Sequence, residues 1–225
     1  MSRTLGYVLG IVGRWAVISA ALSAILFVAA GTVRLTSLCA YLAAFSLVLL
    51  VTMLSVDPRL AHERASPGSD SNTSHLRLAS GFFFLLTLLC ASFLVGRTHS
   101  LTFPTTLRWV ALSIFISASS LQGWAMIANP FFSPVVRIQA ESGHHLVDSG
   151  PYRFVRHPGY LAMCISVLAS AIAIGAWLAL IPAGAFVAII RQRSKLEDQF
   201  LRMNLAGYAE YAKGVPSGLP FARST

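Results

Sequence analysis

Side chains that can bind a charged small molecule are concentrated in two short stretches of this sequence. The first stretch, residues 129–160, contains Gln139, Glu141, His144, His145, Tyr152, Arg153, Arg156, His157 and Tyr160. The second stretch, residues 191–198, contains Arg193, Glu197 and Asp198. Carboxylates, cations and aromatic rings are all groups that bind ligands. Arginines beside a membrane helix can also bind lipid phosphates, and this alternative stays open.

Arg193 and Glu197 are four residues apart, a spacing that puts both side chains on one face of a helix. In the simplest case they form a surface ion pair, worth about 0–1 kcal/mol. Beside a half-buried pocket, the same two side chains could hold ligand groups of opposite charge. They are therefore candidate site residues.

Metal binding is not predicted from this sequence. The cysteines Cys39, Cys90 and Cys164 lie in apolar stretches, without the paired-cysteine or histidine spacing that zinc requires. The glycine-rich fingerprint of a soluble nucleotide-binding fold is also missing from the sequence.

The elements that position these residues are predicted to lie in a membrane. Of 225 residues, 56% are hydrophobic and 11% are charged, against about 45–50% and about 25% in soluble domains. This composition excludes an ordinary water-soluble enzyme. The net charge of +9 would suit nucleic acid. However, the charges fall in short clusters between long uncharged runs, as in loops between membrane helices, so no nucleic-acid partner is predicted.

Five apolar runs define the predicted fold. Four of them are close to the roughly 20 helical residues that cross a bilayer. These four are residues 5–30, 35–56, 78–96 and 109–128. The fifth, residues 161–190, is too long for one span and too short for two, and Gly175 near its middle predicts a helical hairpin. The predicted fold is an all-α polytopic membrane helix bundle, with four spans, a C-terminal helical hairpin and a cytoplasmic cofactor-binding tail.

A hairpin returns its two ends to the same side of the membrane, so the two polar stretches that flank it should meet at one end of the helix bundle, called the mouth below. With the N-terminus inside, only Arg34, Arg97 and Arg108 of the 17 Lys and Arg residues fall in outer loops, which leaves 14 inside. This bias predicts that both termini and the site are cytoplasmic.

Two other segments are predicted to lack regular structure. Residues 57–77 have the composition of a flexible linker. Residues 215–221 are too rich in Pro and Gly for a helix, so we expect an irregular lid over the mouth.

The ordered motifs of residues 129–221 resemble the isoprenylcysteine carboxyl methyltransferase family. They are His144-His145-Leu146-Val147, Gly150-Pro151-Tyr152, Arg156-His157-Pro158-Gly159-Tyr160, Arg193-x-x-x-Glu197-Asp198, Tyr208-Ala209-Glu210-Tyr211 and the proline-rich residues 215–221. Each motif alone is weak, whereas the ordered set at these separations is specific. The last motif is similar to the eukaryotic enzymes in particular.

The resemblance implies a membrane enzyme that uses S-adenosylmethionine to methylate the C-terminal carboxylate of a prenylated cysteine. Carried over by motif, the cofactor contacts are Gln139, His144, His145, Leu146, Val147, Tyr152, His157, Pro158, Gly159, Tyr160 and Glu197. By strict spacing, Arg137 rather than Gln139 occupies the position of the family's glutamine. Arg193 is implied to bind the substrate, and Arg193 and Glu197 are the implied catalytic residues.

The sequence divides into residues 1–128, the N-terminal transmembrane helices, and residues 129–225, the implied methyltransferase core. A lipidic substrate is expected to enter from the bilayer, and membrane lipids are the other expected partners. The membrane would be the endoplasmic reticulum in a eukaryote and the plasma or inner membrane in a bacterium. Oligomeric state is left open.

Three alternative functions remain at this point. The first is a phospholipid, amine or thiol methyltransferase of the same fold. The second is an NADPH-dependent protein like the sterol reductases, and the third is a membrane interaction protein without enzymatic activity.

Overall fold

The computed structural model describes residues 2–65, 73–98 and 102–219, which are helical apart from turns and loops. Its helices are α1 (Ser2–Ala30), α2 (Thr36–Ser55), α3 (Pro58–Ala65), α4 (Ser74–Phe93), α5 (Thr105–Ala128), α6 (Pro158–Ile174), α7 (Leu180–Asn204) and α8 (Tyr208–Gly214). A π-helical turn, Leu94–Thr98, continues α4. Within the described ranges, extended pairing is limited to one β-bridge between Thr102 and Ala176. The all-α prediction is confirmed.

Four helical segments are long and apolar enough to cross a membrane. They are Gly6–Ala30, Thr36–Ser55, Ser74–Thr98 and Thr105–Ala128. Their outward faces carry large apolar side chains such as Val17, Val28 and Phe82, which are 69%, 74% and 61% exposed. Such continuous apolar surface is a liability in water and is suited to lipid. These helices overlap the four apolar runs that the sequence predicts as spans, by length and composition.

Helix α6 and the first part of α7 occupy the fifth apolar run, and the two helices pack against each other. Between them, Gly175 has φ +127°, a conformation that side chains disfavour. The backbone groups near this turn are paired with other parts of the protein. The Phe103 amide donates to the Gly175 carbonyl at 2.8 Å, and the Ser37 hydroxyl donates to the Ile174 carbonyl at 2.9 Å. These bonds avoid unpaired polar groups in lipid.

Small side chains let α6 pack closely against α5, its main neighbour. Ala169 and Ala171 are 4% and 0% exposed, within a core cluster that includes α5 residues. The buried Tyr41 of α2 also shares a 3.0 Å hydrogen bond with Ser170 of α6. These contacts fix the C-terminal part of α6 against α5 and α2.

The prediction that residues 57–77 are unstructured is wrong for α3 and for the first turn of α4, and residues 66–72 lie outside the described part. Helix α3 starts after Asp57, whose carboxylate accepts a 2.7 Å hydrogen bond from the Arg59 amide. Its Leu60 is 1% exposed and packs into a small apolar cluster. Tertiary packing therefore outweighs the linker-like composition.

Candidate functional site

Asp198 of α7 joins the two polar stretches. Its carboxylate accepts two hydrogen bonds from the Arg156 guanidinium, each 2.9 Å long. It also lies 3.1 Å from His157 Nε2 and accepts a 2.7 Å hydrogen bond from the Tyr208 hydroxyl. Burial alone would raise the pKa of Asp198, but these three partners outweigh burial and hold the pKa well below its usual value. Sequence reasoning placed Asp198 in a motif and missed this role.

Arg156 also binds the end of α8 and the segment that follows it. Its guanidinium donates to the carbonyls of Ala212, at 2.9 Å, and Val215, at 2.5 Å. The Arg156 backbone amide donates to the Pro216 carbonyl at 2.9 Å, and the His157 backbone amide donates to the Ser217 carbonyl at 3.3 Å. The last described residues therefore pack over the start of α6, whereas Pro220 and Phe221 of the predicted lid lie outside the described part.

Tyr160, Glu197 and Arg193 form a second group beside Asp198. The Tyr160 hydroxyl donates to Glu197 Oε2 at 2.5 Å. The Cζ atom of Arg193 lies 5.5 Å from the centre of the Tyr160 ring, and the guanidinium donates to the Pro134 carbonyl. Arg193 is only 4% exposed. The packing of α6 against α7 thus brings the ends of both polar stretches together.

A cavity of about 540 Å³, counting the part open to solvent, lies at this junction. Its lining residues are Asn129, Phe131, Phe132, Ser133, Val135, Val136, Arg137, His144, Tyr152, Arg156, His157, Tyr160, Glu197 and Leu201. The predicted site residues His144, Tyr152, His157, Tyr160 and Glu197 are among them. One carboxylate, two imidazoles, two phenols and two guanidiniums therefore face one small space.

Other predicted site residues do not line this cavity. They are Gln139, His145, Leu146, Val147, Pro158, Gly159 and Arg193. Gln139 is 4% exposed, and its side-chain amide donates to the Phe131 carbonyl at 2.9 Å, so it shapes the loop. His145 is exposed, and Arg193 lies behind the Tyr160 ring.

Arg137 lines the cavity, in line with the strict-spacing alternative to Gln139. It forms ion pairs with Glu63 of α3 at 2.8 Å and with Glu141 at 2.7 Å. The hydrogen bond from Arg137, outweighing burial, lowers the pKa of Glu63. Sequence reasoning missed Glu63 because it lies in the segment predicted to be unstructured.

The surroundings of His144 favour its neutral form and one tautomer. Its ring stacks on Phe131 with centroids 4.4 Å apart. Partial burial, and then the neighbouring His145, lower the pKa of His144, which favours the neutral ring. The backbone amide of Gln139 donates to Nδ1 at 3.3 Å. In the neutral ring this bond leaves the proton on Nε2, which can then donate a hydrogen bond.

Gly159 allows the Phe132 ring to reach the first turn of α6. A Cβ atom at this position would lie 2.5 and 2.6 Å from two ring carbons of Phe132. We expect Gly159→Ala to lower the free energy of unfolding by about 1–3 kcal/mol, because the ring must leave its place. Thermal unfolding in detergent measures this. Gly184→Ala, at a helical glycine with open space around it, is the matched control, and equal stability of the two variants would contradict the prediction.

Among the described residues, no group of three or more His, Cys, Asp or Glu side chains is arranged to hold a metal ion. The cavity wall offers hydrogen-bonding groups, charged groups and aromatic faces. This arrangement suits an organic ligand of mixed charge.

Comparison with known proteins gives consistent matches over the site. A model of the isoprenylcysteine carboxyl methyltransferase (ICMT) family matches residues 109–203. A probable protein-S-isoprenylcysteine O-methyltransferase of Oryza sativa subsp. indica is 32% identical over 135 residues, covering 55% of this chain and 69% of the relative. Protein-S-isoprenylcysteine O-methyltransferase A of Arabidopsis thaliana is 30% identical over 172 residues, covering 68% and 81%.

A bacterial protein with a different name also matches. Cobalt-zinc-cadmium resistance protein CzcN of Cupriavidus metallidurans is 35% identical over 88 residues, covering 37% of this chain and 39% of the relative. The plant matches cover more of both chains, and the family model spans the hairpin and the cavity residues Tyr152, Tyr160 and Glu197. Together, this geometry and the extent of these matches show that the chain belongs to the isoprenylcysteine carboxyl methyltransferase family.

Proposed function

We propose that this membrane protein is an S-adenosylmethionine-dependent protein-S-isoprenylcysteine O-methyltransferase. The observation that carries the proposal is that Tyr160 and Glu197 line one mixed-charge cavity and that Arg193 packs on the Tyr160 ring. The names of the plant relatives support the reaction. The methyl acceptor would be the C-terminal carboxylate of a prenylated cysteine.

The donor set of the cavity fits S-adenosylmethionine. Glu197 would bind its ammonium group or the ribose hydroxyls, and Tyr152 and Tyr160 offer aromatic faces. The Nε2 proton of His144 would serve as a donor to an oxygen or nitrogen atom. When bound, this cofactor supplies an electrophilic methyl group on a sulfonium. Gln139 would keep the loop in place, and His157 would be held by Asp198.

Arg193 would hold the acceptor carboxylate. A guanidinium can donate two parallel hydrogen bonds to a carboxylate, which lysine cannot copy. A terminal carboxylate has a pKa of about 3.3–3.7 and is ionised at neutral pH. The protein therefore needs no general base, and its residues contribute by alignment and by excluding water. Alignment of two reactants is worth roughly 7–11 kcal/mol.

The N-terminal half would form the membrane part of the enzyme and residues 129–225 its methyltransferase core. Four spans and the hairpin would place both termini and the cavity on the cytoplasmic side. The prenyl chain would enter sideways from the bilayer, because apolar surface gains about 25 cal/mol per Å² outside water. The membrane would be the endoplasmic reticulum of a eukaryote or the plasma or inner membrane of a bacterium.

The test is incubation of the purified protein with isotopically labelled S-adenosylmethionine and a panel of acceptors. We expect transfer to N-acetyl-S-farnesylcysteine, and no transfer to phosphatidylethanolamine or small thiols. A base-labile product identifies the methyl ester. Transfer only to the lipid amine or a thiol would overturn the proposal, and so would NADPH binding without S-adenosylmethionine binding.

The pH dependence of the rate separates the acceptors further. An amine must lose a proton before it reacts, so the rate of an amine methyltransferase rises with pH. A carboxylate is already ionised above about pH 5. We therefore expect a flat profile between about pH 6 and 8.

A further inference from the structure

A second arginine, Arg64 of α3, lies next to the candidate acceptor site. Its Cζ atom lies 5.4 Å from the centre of the Phe132 ring, and Nη1 donates to the Phe132 carbonyl at 3.3 Å. Phe132 lines the cavity, and its ring centre is 6.4 Å from that of Tyr160. Arg193 lies over Tyr160 in the same manner. Two guanidiniums thus lie on two adjacent aromatic rings of the cavity wall.

These two cations influence each other. Burial lowers the pKa of Arg64, and the positive charge of Arg193 lowers it further. Each guanidinium binds a backbone carbonyl of the same loop, at Phe132 and Pro134. Like charges held together away from water destabilise a protein unless an anion compensates them.

Neither arginine forms an ion pair with a carboxylate in the described part of the chain. The Nε atom of Arg193 is buried and has no hydrogen-bond partner there, in a side chain that is only 4% exposed. Two neighbouring carboxylates already have partners. Glu63 binds Arg137, and Glu197 accepts from Tyr160. No carboxylate in the described part of the chain therefore compensates the charges of Arg64 and Arg193.

We propose that Arg64 and Arg193 together bind the carboxylate of the methyl acceptor. This inference rests on the proposed function and adds to it a binding residue from the N-terminal half of the chain. A carboxylate has two oxygens and can accept from two guanidiniums at once. Binding it would neutralise both cations and supply the unpaired Nε–H with an acceptor. It would also place the acceptor oxygen beside Phe132 and Tyr160, at the edge of the cavity.

Direct binding of two matched lipids tests the assignment. N-acetyl-S-farnesylcysteine and its carboxamide share the same prenyl chain, and only the first carries a carboxylate. We expect wild-type protein to prefer the acid. Arg64→Gln should reduce affinity for the acid about 10- to 100-fold and affinity for the carboxamide less than about twofold, because only the charged hydrogen bond is lost.

The matched control is Arg59→Gln, which removes an exposed cation from the same helix and should leave both affinities unchanged. Arg64→Lys keeps the charge and should lose less affinity for the acid than Arg64→Gln does. If Arg64→Gln does not fold, the affinities of Arg64→Lys for the acid and the carboxamide are compared with those of the wild type instead. Affinity for S-adenosylmethionine should stay within about twofold of wild type in every variant.

Three results would overturn the inference. An equal loss of affinity for the acid and the carboxamide would indicate that Arg64 has a packing role. A loss of S-adenosylmethionine affinity would indicate that Arg64 binds the carboxylate of the cofactor. The third result is a preference for the acid that the substitution leaves unchanged. Failure of the proposed function would show differently. In that case the wild-type protein would transfer no methyl group to N-acetyl-S-farnesylcysteine, whatever residue occupies position 64.

Discussion

Replacing Arg193 by glutamine should lower kcat/KM for the prenylcysteine acceptor at least about 100-fold and leave S-adenosylmethionine affinity within about twofold of wild type. The variant removes the charged donor that we assign to the acceptor carboxylate, and such bonds contribute about 1.5–3 kcal/mol each. A guanidinium that donates two of them accounts for the size of the loss. Steady-state kinetics and calorimetric titration of the cofactor measure the two quantities.

Glu197→Gln should give the opposite pattern. It removes the negative charge that we assign to the cofactor, while its amide oxygen can still accept from Tyr160. We expect S-adenosylmethionine affinity to fall about 10- to 100-fold. Lys195→Gln is the matched control, because Lys195 is exposed on the same helix and should tolerate the change. If both site variants kept full activity, the assigned roles would be wrong.

Asp198→Asn should be the most destabilising of these substitutions. It leaves the Arg156 and His157 side chains, each 4% exposed, without their carboxylate. Removal of one partner from a buried ion pair costs about 3–5 kcal/mol, because the remaining charge is uncompensated. We expect a clear drop in thermal stability and in activity, since Arg156 also binds the tail. Thermal unfolding in detergent measures the first effect.

Glu210→Gln provides the control for Asp198→Asn. Glu210 pairs with Lys213, but both side chains are largely exposed, at 79% and 72%. Surface pairs contribute little, so this variant should unfold at the wild-type temperature. Equal stability of the two variants would show that the Asp198 cluster does not hold the site together.

The same cluster predicts how stability depends on pH. The folded-state pKa of Asp198 lies below the unfolded value of about 3.9. The unfolded state therefore takes up the proton first as the pH falls. The stabilisation by Asp198 is complete above the unfolded pKa and is lost as the pH falls through the folded pKa. In Asp198→Asn this contribution to acid sensitivity should be absent.

Local chemistry let the sequence predict the spans and the break at Gly175. A bilayer requires roughly 20 apolar residues per helix, so hydropathy along the chain places each span without knowledge of its neighbours. The same local reasoning failed for residues 58–65. Their polar composition resembles a linker, but Leu60 packs into a cluster with α5, which hydropathy along the chain does not reveal.

The motifs predicted five of the residues that line the cavity, and the tertiary structure decided how the motif residues are paired. Glu197 and Asp198 are adjacent in sequence, yet one accepts from Tyr160 and the other from Arg156 and Tyr208. Successive residues on a helix point in directions about 100° apart, so the rotation of α7 against α6 selects each partner.

The sequence by itself determined an all-helical membrane protein, the positions of its apolar runs and the residues of its motifs. Only the tertiary structure brought Arg64 and Glu63 of α3 to the same loop as Arg137 and Arg193. Helix formation and membrane insertion depend on neighbouring residues along the chain. Ion pairs depend on contacts between distant segments, and side-chain packing fixes those contacts only when the whole bundle forms.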